Sequence, residues 1–253
     1  MQVLILGVGD AFTKKHYGSS ALVRAPSGYL QIDCPDPIHR VLHEATARHH
    51  GQHGWQVGVD AVDDILLTHL HGDHCNGVES VGFWRYVLRA QGKQSHLPRL
   101  HATRAVVDRL WPRLAPAMDT LIGLSRPARL EDYFDIRILN PDGKAVHKIA
   151  GLEVRARTTT HYIPTVGVLV SDGERTFGWS GDSRFEQAHI DWLDQADFFV
   201  HEANFPPAHT TLDELAALPE RLKAKMRLVH LADDVDPTPY GLSSLCEGDL
   251  LDI

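Results

Sequence analysis

The chain predicts an α+β fold in which β-sheets are covered by helices. Short apolar, β-prone runs bounded by Gly, Asp or Pro recur in both halves, and segments with helical spacing of apolar residues lie between them. With 253 residues, of which 43% are hydrophobic and 23% charged, the chain can bury a sizeable core. No repeat or domain-sized linker divides it, so we expect one domain spanning residues 1–253.

The elements of the first half follow from local patterns. "MQVLILGVG" predicts a strand, and "SSALVRAPSGYLQIDC" predicts a hairpin around the turn "APSG". A helix is predicted from Pro37 to about His49, where apolar residues recur at helical spacing. "HHGQHG" then predicts a loop, "AVDDILLT" a strand, Val81 to Ala90 a helix, "RLHAT" a strand and "TRAVVDRLWPRL" a helix.

The second half is richer in β-prone runs. Strands are predicted at "FDIRILN", "LEVRARTTT", "TVGVLVSD" and "TFGWSGD". "HIDWLDQA" predicts a helix, "DFFVHEA" a strand, "LDELAALPERLKA" one helix and "MRLVHLAD" a last strand. The tail from "DVDPTP" onward is expected to be loop.

Composition limits the classes of function. A net charge of −8 gives no general attraction for nucleic acid, because such binding depends on neutralising phosphates. No apolar run reaches the ~20 residues that span a bilayer, and the N-terminus lacks the features of a signal peptide. A cytoplasmic location without a membrane partner is therefore expected. The 17 histidines are unusual, and histidine is the commonest transition-metal ligand.

Polar, metal-capable side chains follow the predicted strands with unusual regularity. Loops at strand ends are where a rigid sheet builds its sites. The residues at these positions are His69, His161, Asp182, His201 and His230.

The segment "HLHGDH" adds a dense cluster to this pattern. His69 and His71 lie two apart, so in an extended segment they point the same way. Asp73 and His74 follow Gly72, which permits a tight turn. Imidazole and carboxylate ligands suit zinc, and also iron or manganese. The spacing predicts two neighbouring metal ions, to which His161, Asp182 and His230 are the natural further contributors.

At this point the chain resembles the metallo-β-lactamase superfamily of dinuclear metal hydrolases, and within it the ribonuclease Z-like phosphodiesterase branch. "HLHGDH" is followed by an isolated histidine, a "GD" and a late histidine, as in the superfamily, while "THYIPTVGVLV", "HEANF" and "HTT" are similar to blocks of that branch. The resemblance implies a four-layer αββα sandwich of two mixed β-sheets. It also implies a first metal held by His69, His71 and His161, a second held by Asp73, His74 and His230, a bridging Asp182, and support from Asp33 behind the ligands.

The resemblance implies hydrolysis by hydroxide generated at two divalent ions, zinc first and manganese or iron as alternatives. The catalytic candidates are Asp73, which orients the nucleophile or takes its proton, and His209, which protonates the leaving oxygen, with His201 and Glu202 behind it. The expected substrate is a small or single-stranded phosphodiester, such as a cyclic nucleotide or short RNA-like molecule. A homodimer is an expectation from the family.

Two other functions stay open. The scaffold also hosts hydrolases of carbonyl esters such as lactones, thioesters and β-lactams, because function belongs to the site and not to the fold. A non-catalytic metal-binding protein is the third alternative. For substrate binding, the helix after the motif offers Trp84, Arg85, Tyr86 and Arg89, which could extend over the site. The alternative is a helix that packs Phe83 and Trp84 into the core and leaves its arginines solvated.

Overall fold

Two β-sheets pack face to face, and helices cover both outer faces. The computed structural model describes all residues, 1–253. Seven strands form one sheet and six form the other. The predicted fold class, a four-layer αββα sandwich of two mixed sheets, is confirmed.

The thirteen strands are short, as expected for runs bounded by turn residues. In chain order they are β1 (Gln2–Gly7), β2 (Ser20–Ala25), β3 (Gly28–Ile32), β4 (Asp64–Leu66), β5 (Arg99–Thr103), β6 (Asp135–Leu139), β7 (His147–Ile149), β8 (Leu152–Thr159), β9 (Thr165–Ser171), β10 (Thr176–Trp179), β11 (Phe198–Glu202), β12 (Met226–Val229) and β13 (Leu250–Asp252).

Both sheets combine antiparallel and parallel pairing. The first has the order β13-β1-β2-β3-β4-β5-β6, antiparallel up to β3 and parallel from β3 to β6. The second has the order β12-β11-β10-β9-β8-β7, with its parallel pairs at β10, β11 and β12. Parallel neighbours end at the same edge of a sheet, so the loops after them lie close together.

Nine α-helices and two 3₁₀ turns connect the strands. The helices are α1 (Ile38–Ala47), α2 (His50–His53), α3 (Gly72–Cys75), α4 (Gly77–Ala90), α5 (Arg104–Met118), α6 (Leu130–Tyr133), α7 (Gln187–Leu193), α8 (Leu212–Ala216) and α9 (Glu220–Ala224), and the 3₁₀ turns are Val59–Ala61 and Thr238–Tyr240. None of the helices has the combined length and apolarity that a membrane-crossing segment requires.

Three apolar clusters correspond to the three interfaces between the layers. The cluster between the sheets joins residues from both halves of the chain, such as Ile5 with Val154 and Val168. A larger cluster lies under α1, α4 and α5, and a smaller one lies under α7, α8 and α9. The core between the sheets thus packs the two halves against each other.

The structure corrects three of the predicted elements and adds a strand that was not predicted. "HHGQHG" is not all loop, because α2 forms there and ends at Gly54 in a left-handed conformation (φ 66°). The predicted helix over "LDELAALPERLKA" is two short helices, since Pro219 cannot continue α8. Two three-residue strands were not predicted, and one of them, β13, lies in the tail expected to be loop.

Candidate metal centre

The seven predicted ligands converge from four loops at one edge of the sandwich. His69 to His74 follow β4, His161 follows β8, Asp182 follows β10 and His230 follows β12. Their ligand atoms form two groups, each within 4.8 Å: one of His69, His71, His161 and Asp182, the other of Asp73, His74 and His230. The structure therefore brings together the same two sets of histidines that the family resemblance implied for two ions.

Local backbone geometry directs these side chains. His71 is extended (φ −67°, ψ 153°), and α3 begins at the next residue, so Asp73 and His74 turn back toward the same point. His230 has φ 62° and Gly181 has φ 59°. At Gly181 a Cβ would lie 2.3 Å from the carbonyl oxygen of Val166, so no other residue fits beside Asp182.

The first group presents three imidazole nitrogens to a common point. His71 Nδ1 lies 3.1 Å from His69 Nε2 and 3.1 Å from His161 Nε2. The carbonyl oxygen of Ala208 can only accept, so it fixes the proton of His161 on Nδ1, at 3.1 Å. His161 Nε2 therefore offers a lone pair to the centre.

The second group is held from behind by Asp33. His74 Nδ1 donates to Asp33 Oδ2 at 2.8 Å, which leaves His74 Nε2 directed into the site. The Thr68 hydroxyl donates to Asp33 and lies 3.0 Å from His69 Nδ1. The Asp33 carboxylate thus orients His74 directly and His69 through Thr68. The supporting contact that was expected of Asp33 is present.

Asp182 lies between the two groups. Its Oδ1 is 3.3 Å from His74 Nε2, and its Oδ2 is 3.5 Å from His69 Nε2 and 3.6 Å from the Nε2 atoms of His161 and His230. Oδ2 thus lies near histidines of both groups, and Oδ1 lies near His74 of the second group. The carboxylate is therefore placed to contact two ions at once.

The donor set fits divalent metal ions. His74 Nε2 and Asp73 Oδ1 are buried and have no hydrogen-bond partner, although buried polar atoms are nearly always paired. Histidine nitrogens with bridging carboxylates are the ligands that zinc, iron and manganese accept. A pair of ions would satisfy both the unpartnered atoms and the converging lone pairs.

The electrostatics of the metal-free groups also indicate cation sites. Burial lowers the pKa of His69 and His71, and neighbouring histidines add to the effect. Burial opposes the charge of His230, yet Asp182 and Asp73 raise its pKa to about 9. Burial would raise the pKa of Asp73, but His74 and His230 hold it well below its usual value. Without metal, protonated histidines balance the negative charge of the carboxylates. Metal ions would take over this role, so metal binding would release protons.

His209 and His201 have different surroundings. His209 lies within 4.8 Å of the ligand atoms of Asp182 and His230, and its Nδ1 contacts Glu202 Oε2 at 3.2 Å. Burial disfavours its charge, but Glu202 raises the pKa of His209 above its usual value. His201 is buried and its Nδ1 lies 2.6 Å from the Glu202 carbonyl oxygen, outside both ligand groups. The strand-end pattern was wrong for His201, because that residue is still inside β11 and faces the core.

A cavity of about 430 Å³ opens onto the site. Asp73, Asp182, His209 and His230 form part of its lining, and no Lys or Arg is present there. The lining includes further residues to which the sequence patterns assigned no role, namely Asp10, Phe12, Tyr162, Asn204, Phe205 and Pro206. No periodic pattern marks them, because each lies in a different loop from the motif.

The helix after the motif does not contribute to this cavity. Arg85 is fully buried, and its guanidinium donates to the carbonyl oxygens of Val59, Asp60 and Val62. Both interpretations of α4 were therefore wrong for Arg85, which neither extends over the site nor is solvated, and Trp84 is 43% exposed and not packed into the core. Burying its charge among carbonyl acceptors holds α4 to the 3₁₀ turn before β4.

Fold and site together define a protein of the metallo-β-lactamase fold. The metallo-β-lactamase fold protein YhfI from Bacillus subtilis superposes with a TM-score of 0.78 at 16% identity, covering 99% of this chain and 98% of that one. Human tRNase Z, short form, superposes with a TM-score of 0.69 at 18% identity, covering 100% and 99%. At such identities these neighbours establish the fold alone.

The family follows from the sequence of nearly the whole chain. Residues 1–244 match the model of the family described as anti-Pycsar protein Apyc1. The anti-Pycsar protein Apyc1 of Saccharibacillus brassicae is 31% identical over 240 residues, covering 92% of this chain and 91% of the relative. The protein of the same name from Bacillus phage 010DV004 is 28% identical over 256 residues, covering 93% and 91%. The chain belongs to the anti-Pycsar protein Apyc1 family.

Proposed function

We propose that this protein is a dinuclear metal-dependent phosphodiesterase acting on a small phosphodiester, first of all a cyclic nucleotide. The observation that carries the proposal is the placement of Asp182 between two ligand groups at the floor of an open cavity. Sites with two metals a few ångströms apart suit in-line displacement at phosphorus, because they stabilise both the attacking and the leaving oxygen.

The charges of the cavity support the same conclusion. Its carboxylates are Asp10, Asp73 and Asp182, and it has no Lys or Arg with which to attract an anion. Once the histidines are neutral, as metal ligands are, this surface would repel a phosphodiester unless bound cations reverse its sign. The volume of about 430 Å³ is in the range of pockets that enclose a single small ligand.

Residues of the chain have separable roles in this proposal. The two ligand groups would hold divalent ions, which when bound would make hydroxide available at neutral pH and offset negative charge on the phosphoryl oxygens. Asp73 would hold an ion through one carboxylate oxygen, and its other oxygen orients the attacking water or accepts its proton. His209, held by Glu202, gives a proton to the leaving oxygen. Asp33 and Thr68 fix the ligand histidines in the tautomers that leave Nε2 free.

The test measures hydrolysis of bis-p-nitrophenyl phosphate and of 3′,5′-cyclic nucleotides by chelator-treated protein, with and without added Zn²⁺ or Mn²⁺. We expect turnover only with metal, and its loss in Asp73→Ala and Asp182→Ala. Asp213→Ala, which removes an exposed carboxylate of α8 away from the cavity, serves as the matched control. Absence of metal-dependent turnover, or equal turnover in Asp73→Ala, would refute the proposal. A parallel panel of lactones, thioesters and a β-lactam tests the carbonyl-ester alternative, which is favoured if those substrates alone are cleaved.

A further inference from the structure

The loop that carries Asp182 is held in place by side chains. Residues 180–183 follow β10 and are buried, so their carbonyl oxygens must find partners within the protein. Each of the four accepts a hydrogen bond from a side chain. The donors are His189 Nε2 for Ser180 at 3.1 Å, Ser180 Oγ for Gly181 at 2.7 Å, Thr159 Oγ1 for Asp182 at 2.8 Å and Thr210 Oγ1 for Ser183 at 2.8 Å.

His189 is the one imidazole among these four donors. It lies in α7, is 1% exposed, and stacks on Trp192 with the ring centroids 5.8 Å apart and the planes at 18°. The carbonyl oxygen of Ser180 can only accept, so the proton of the neutral ring is on Nε2. Burial, with His201 adding to the effect, lowers the pKa of His189 to about 3, which keeps the ring neutral.

Packing alone does not explain a histidine at this position. Nδ1 of His189 is buried, and no donor of the chain reaches it. A phenylalanine ring would stack on Trp192 as well without burying an unpaired nitrogen, which costs free energy. What the histidine adds is the hydrogen bond from Nε2 to the loop.

Strand β9 leaves room for this contact at Gly167. A Cβ there would lie 2.6 Å from Cε1 of His189 and 2.5 Å from the carbonyl oxygen of Ser180, closer than Cβ atoms approach their neighbours. Any other residue would push the ring and the carbonyl aside. The contact between α7 and the loop therefore depends on a glycine in the neighbouring strand.

The position of this hydrogen bond matters for Asp182. The Ser180 carbonyl belongs to the peptide unit that leads into Gly181, which has φ 59°. Glycine restricts its own backbone least of all residues, so contacts on the flanking peptide units must fix the turn. His189 holds the unit before Gly181, and Thr159 holds the unit after Asp182.

We propose that His189 is a positioning residue for Asp182, acting through the Ser180 carbonyl oxygen so that the carboxylate meets both metal ions. The inference rests on the two-ion centre of the proposed function, since His189 belongs to neither ligand group. Loss of the hydrogen bond should leave all seven ligands in the chain but misplace the one that the two ions share.

The experiment follows Mn²⁺ binding to chelator-treated protein by calorimetry and by electron paramagnetic resonance. A carboxylate shared by two Mn²⁺ ions couples their unpaired electrons, so the strength of the coupled signal depends on the bridge that Asp182 makes. In His189→Phe, which keeps a stacked ring and removes the donor, we expect Mn²⁺ affinity to fall about 10-fold and the coupled signal to weaken at saturating Mn²⁺. His189→Gln, whose amide can donate from the place of Nε2, should recover both.

Two further variants complete the design. His49→Phe is the matched control, because His49 Nε2 also donates to a carbonyl oxygen, that of Gly248 at 2.6 Å, and lies outside both ligand groups and the cavity. It should bind Mn²⁺ as the wild type does. His189→Met also lacks the donor, and its flexible side chain fills irregular space, so it replaces His189→Phe if that variant does not fold.

Wild-type Mn²⁺ affinity and a full coupled signal in His189→Phe and His189→Met overturn the inference, as does an equal loss in His189→Gln or in His49→Phe. Loss of the fold in both apolar variants assigns His189 to folding and also overturns it. A wild type without a coupled pair of ions overturns it together with the two-ion centre. A wild type that binds a coupled pair but hydrolyses no phosphodiester refutes the proposed function alone, and the Mn²⁺ measurements still decide the role of His189.

Discussion

Asp33 is a residue whose backbone and side chain both support the candidate metal centre. It is fully buried and has a left-handed backbone (φ 58°), a conformation that Asp and Asn adopt more readily than most residues. Its carboxylate accepts from His74 Nδ1 and from the backbone N–H and hydroxyl of Thr68. Burial would raise the pKa of Asp33, and although His74 opposes this the pKa stays above its usual value. The negative charge of Asp33 therefore depends on these partners.

Replacing Asp33 tests whether this support controls metal binding. In Asp33→Asn the left-handed backbone is kept, but an amide cannot accept all the hydrogen bonds that the carboxylate accepts. We expect metal affinity to fall about 10- to 100-fold, as is typical when a group behind a ligand is changed. Metal content after dialysis against a graded chelator, measured by mass spectrometry, checks this. Wild-type occupancy in Asp33→Asn at every chelator concentration would contradict it.

The proposed role of His209 predicts that the effect of its removal depends on whether the leaving oxygen needs a proton. If His209 protonates the leaving oxygen, His209→Ala should lower kcat for a cyclic nucleotide by about 100- to 10,000-fold, with a small change in KM. The loss should be much smaller for bis-p-nitrophenyl phosphate, because p-nitrophenolate leaves without needing a proton. Steady-state kinetics of both substrates provide the measurement. An equal loss of kcat on both would assign His209 a different role.

At the residue scale, the metal centre was more predictable than the cavity around it. His69, His71, Asp73 and His74 stand in one short motif, so a dense local pattern revealed them. Phe12 and Phe205 carry no such pattern, because their exposure depends on loops tied together by Asp10 and Asn204. Contacts between residues that are 194 positions apart leave no local signal in a single sequence.

The pairing of β4 with β5 contains a buried ionic cluster with its own pH dependence. Asp64, almost fully buried in β4, accepts from Arg99 Nε at 2.6 Å and from His101 Nε2 at 2.8 Å, both in β5. Burial alone would raise the pKa of Asp64, but hydrogen bonds from Arg99 and His101 lower it to about 2. These contacts connect the two strands beyond their backbone ladder.

The lowered pKa of Asp64 predicts a loss of stability in acid. Because the folded pKa lies below the ordinary value near 4, the stabilisation is complete above pH ~4 and disappears as the pH falls toward 2. It amounts to about 2 kcal/mol in the free energy of unfolding. Urea unfolding across this range should show a shallower pH dependence for Asp64→Asn than for the wild type. Asp135→Asn, at an exposed pair with Arg137, should behave as the wild type does.

The buried guanidinium of Arg85 is expected to stabilise the packing of helix α4. Removing this side chain in Arg85→Ala leaves buried carbonyl oxygens without their donor, and the Asp63 carboxylate keeps only its contact with His96. We expect a loss of about 3–5 kcal/mol in the free energy of unfolding. The exposed Arg89→Ala on the same helix should cost little. If Arg85→Ala kept full stability but lost substrate binding, α4 would have to contact the substrate after all.

At the element scale, prediction succeeded where the sequence pattern is local. The spacing of Ile38, Val41 and Leu42 gave α1 because one helical face is buried. Strand β13 was missed because its three residues form a strand only by pairing with β1, about 250 positions away. The break between α8 and α9 was visible as Pro219, yet apolar periodicity across it favoured a single helix.

On the scale of the whole molecule, the candidate metal centre joins the two halves of the chain. His69, His71, Asp73 and His74 follow the first sheet, whereas His161, Asp182 and His230 follow strands of the second. Each ligand group takes side chains from both sheets. Bound ions would therefore cross-link the sandwich at one edge, in addition to the apolar cluster that packs the sheets together.

Metal removal is accordingly expected to destabilise the whole sandwich and not only one loop. A ligand that binds only the folded state at 1,000 times its Kd adds about 4 kcal/mol to stability, which for a chain of this size shifts Tm by roughly 10 °C. Chelation should lower Tm by the same amount whether unfolding is followed by far-ultraviolet circular dichroism or by tryptophan fluorescence. Trp55 and Trp179 lie in different apolar clusters, so fluorescence reports on both sides of the first sheet. In His74→Ala the chelator should have a smaller effect, because one ligand group is already incomplete. Separation of the two transitions after chelation would show instead that the halves unfold independently, and would contradict the single domain expected for residues 1–253.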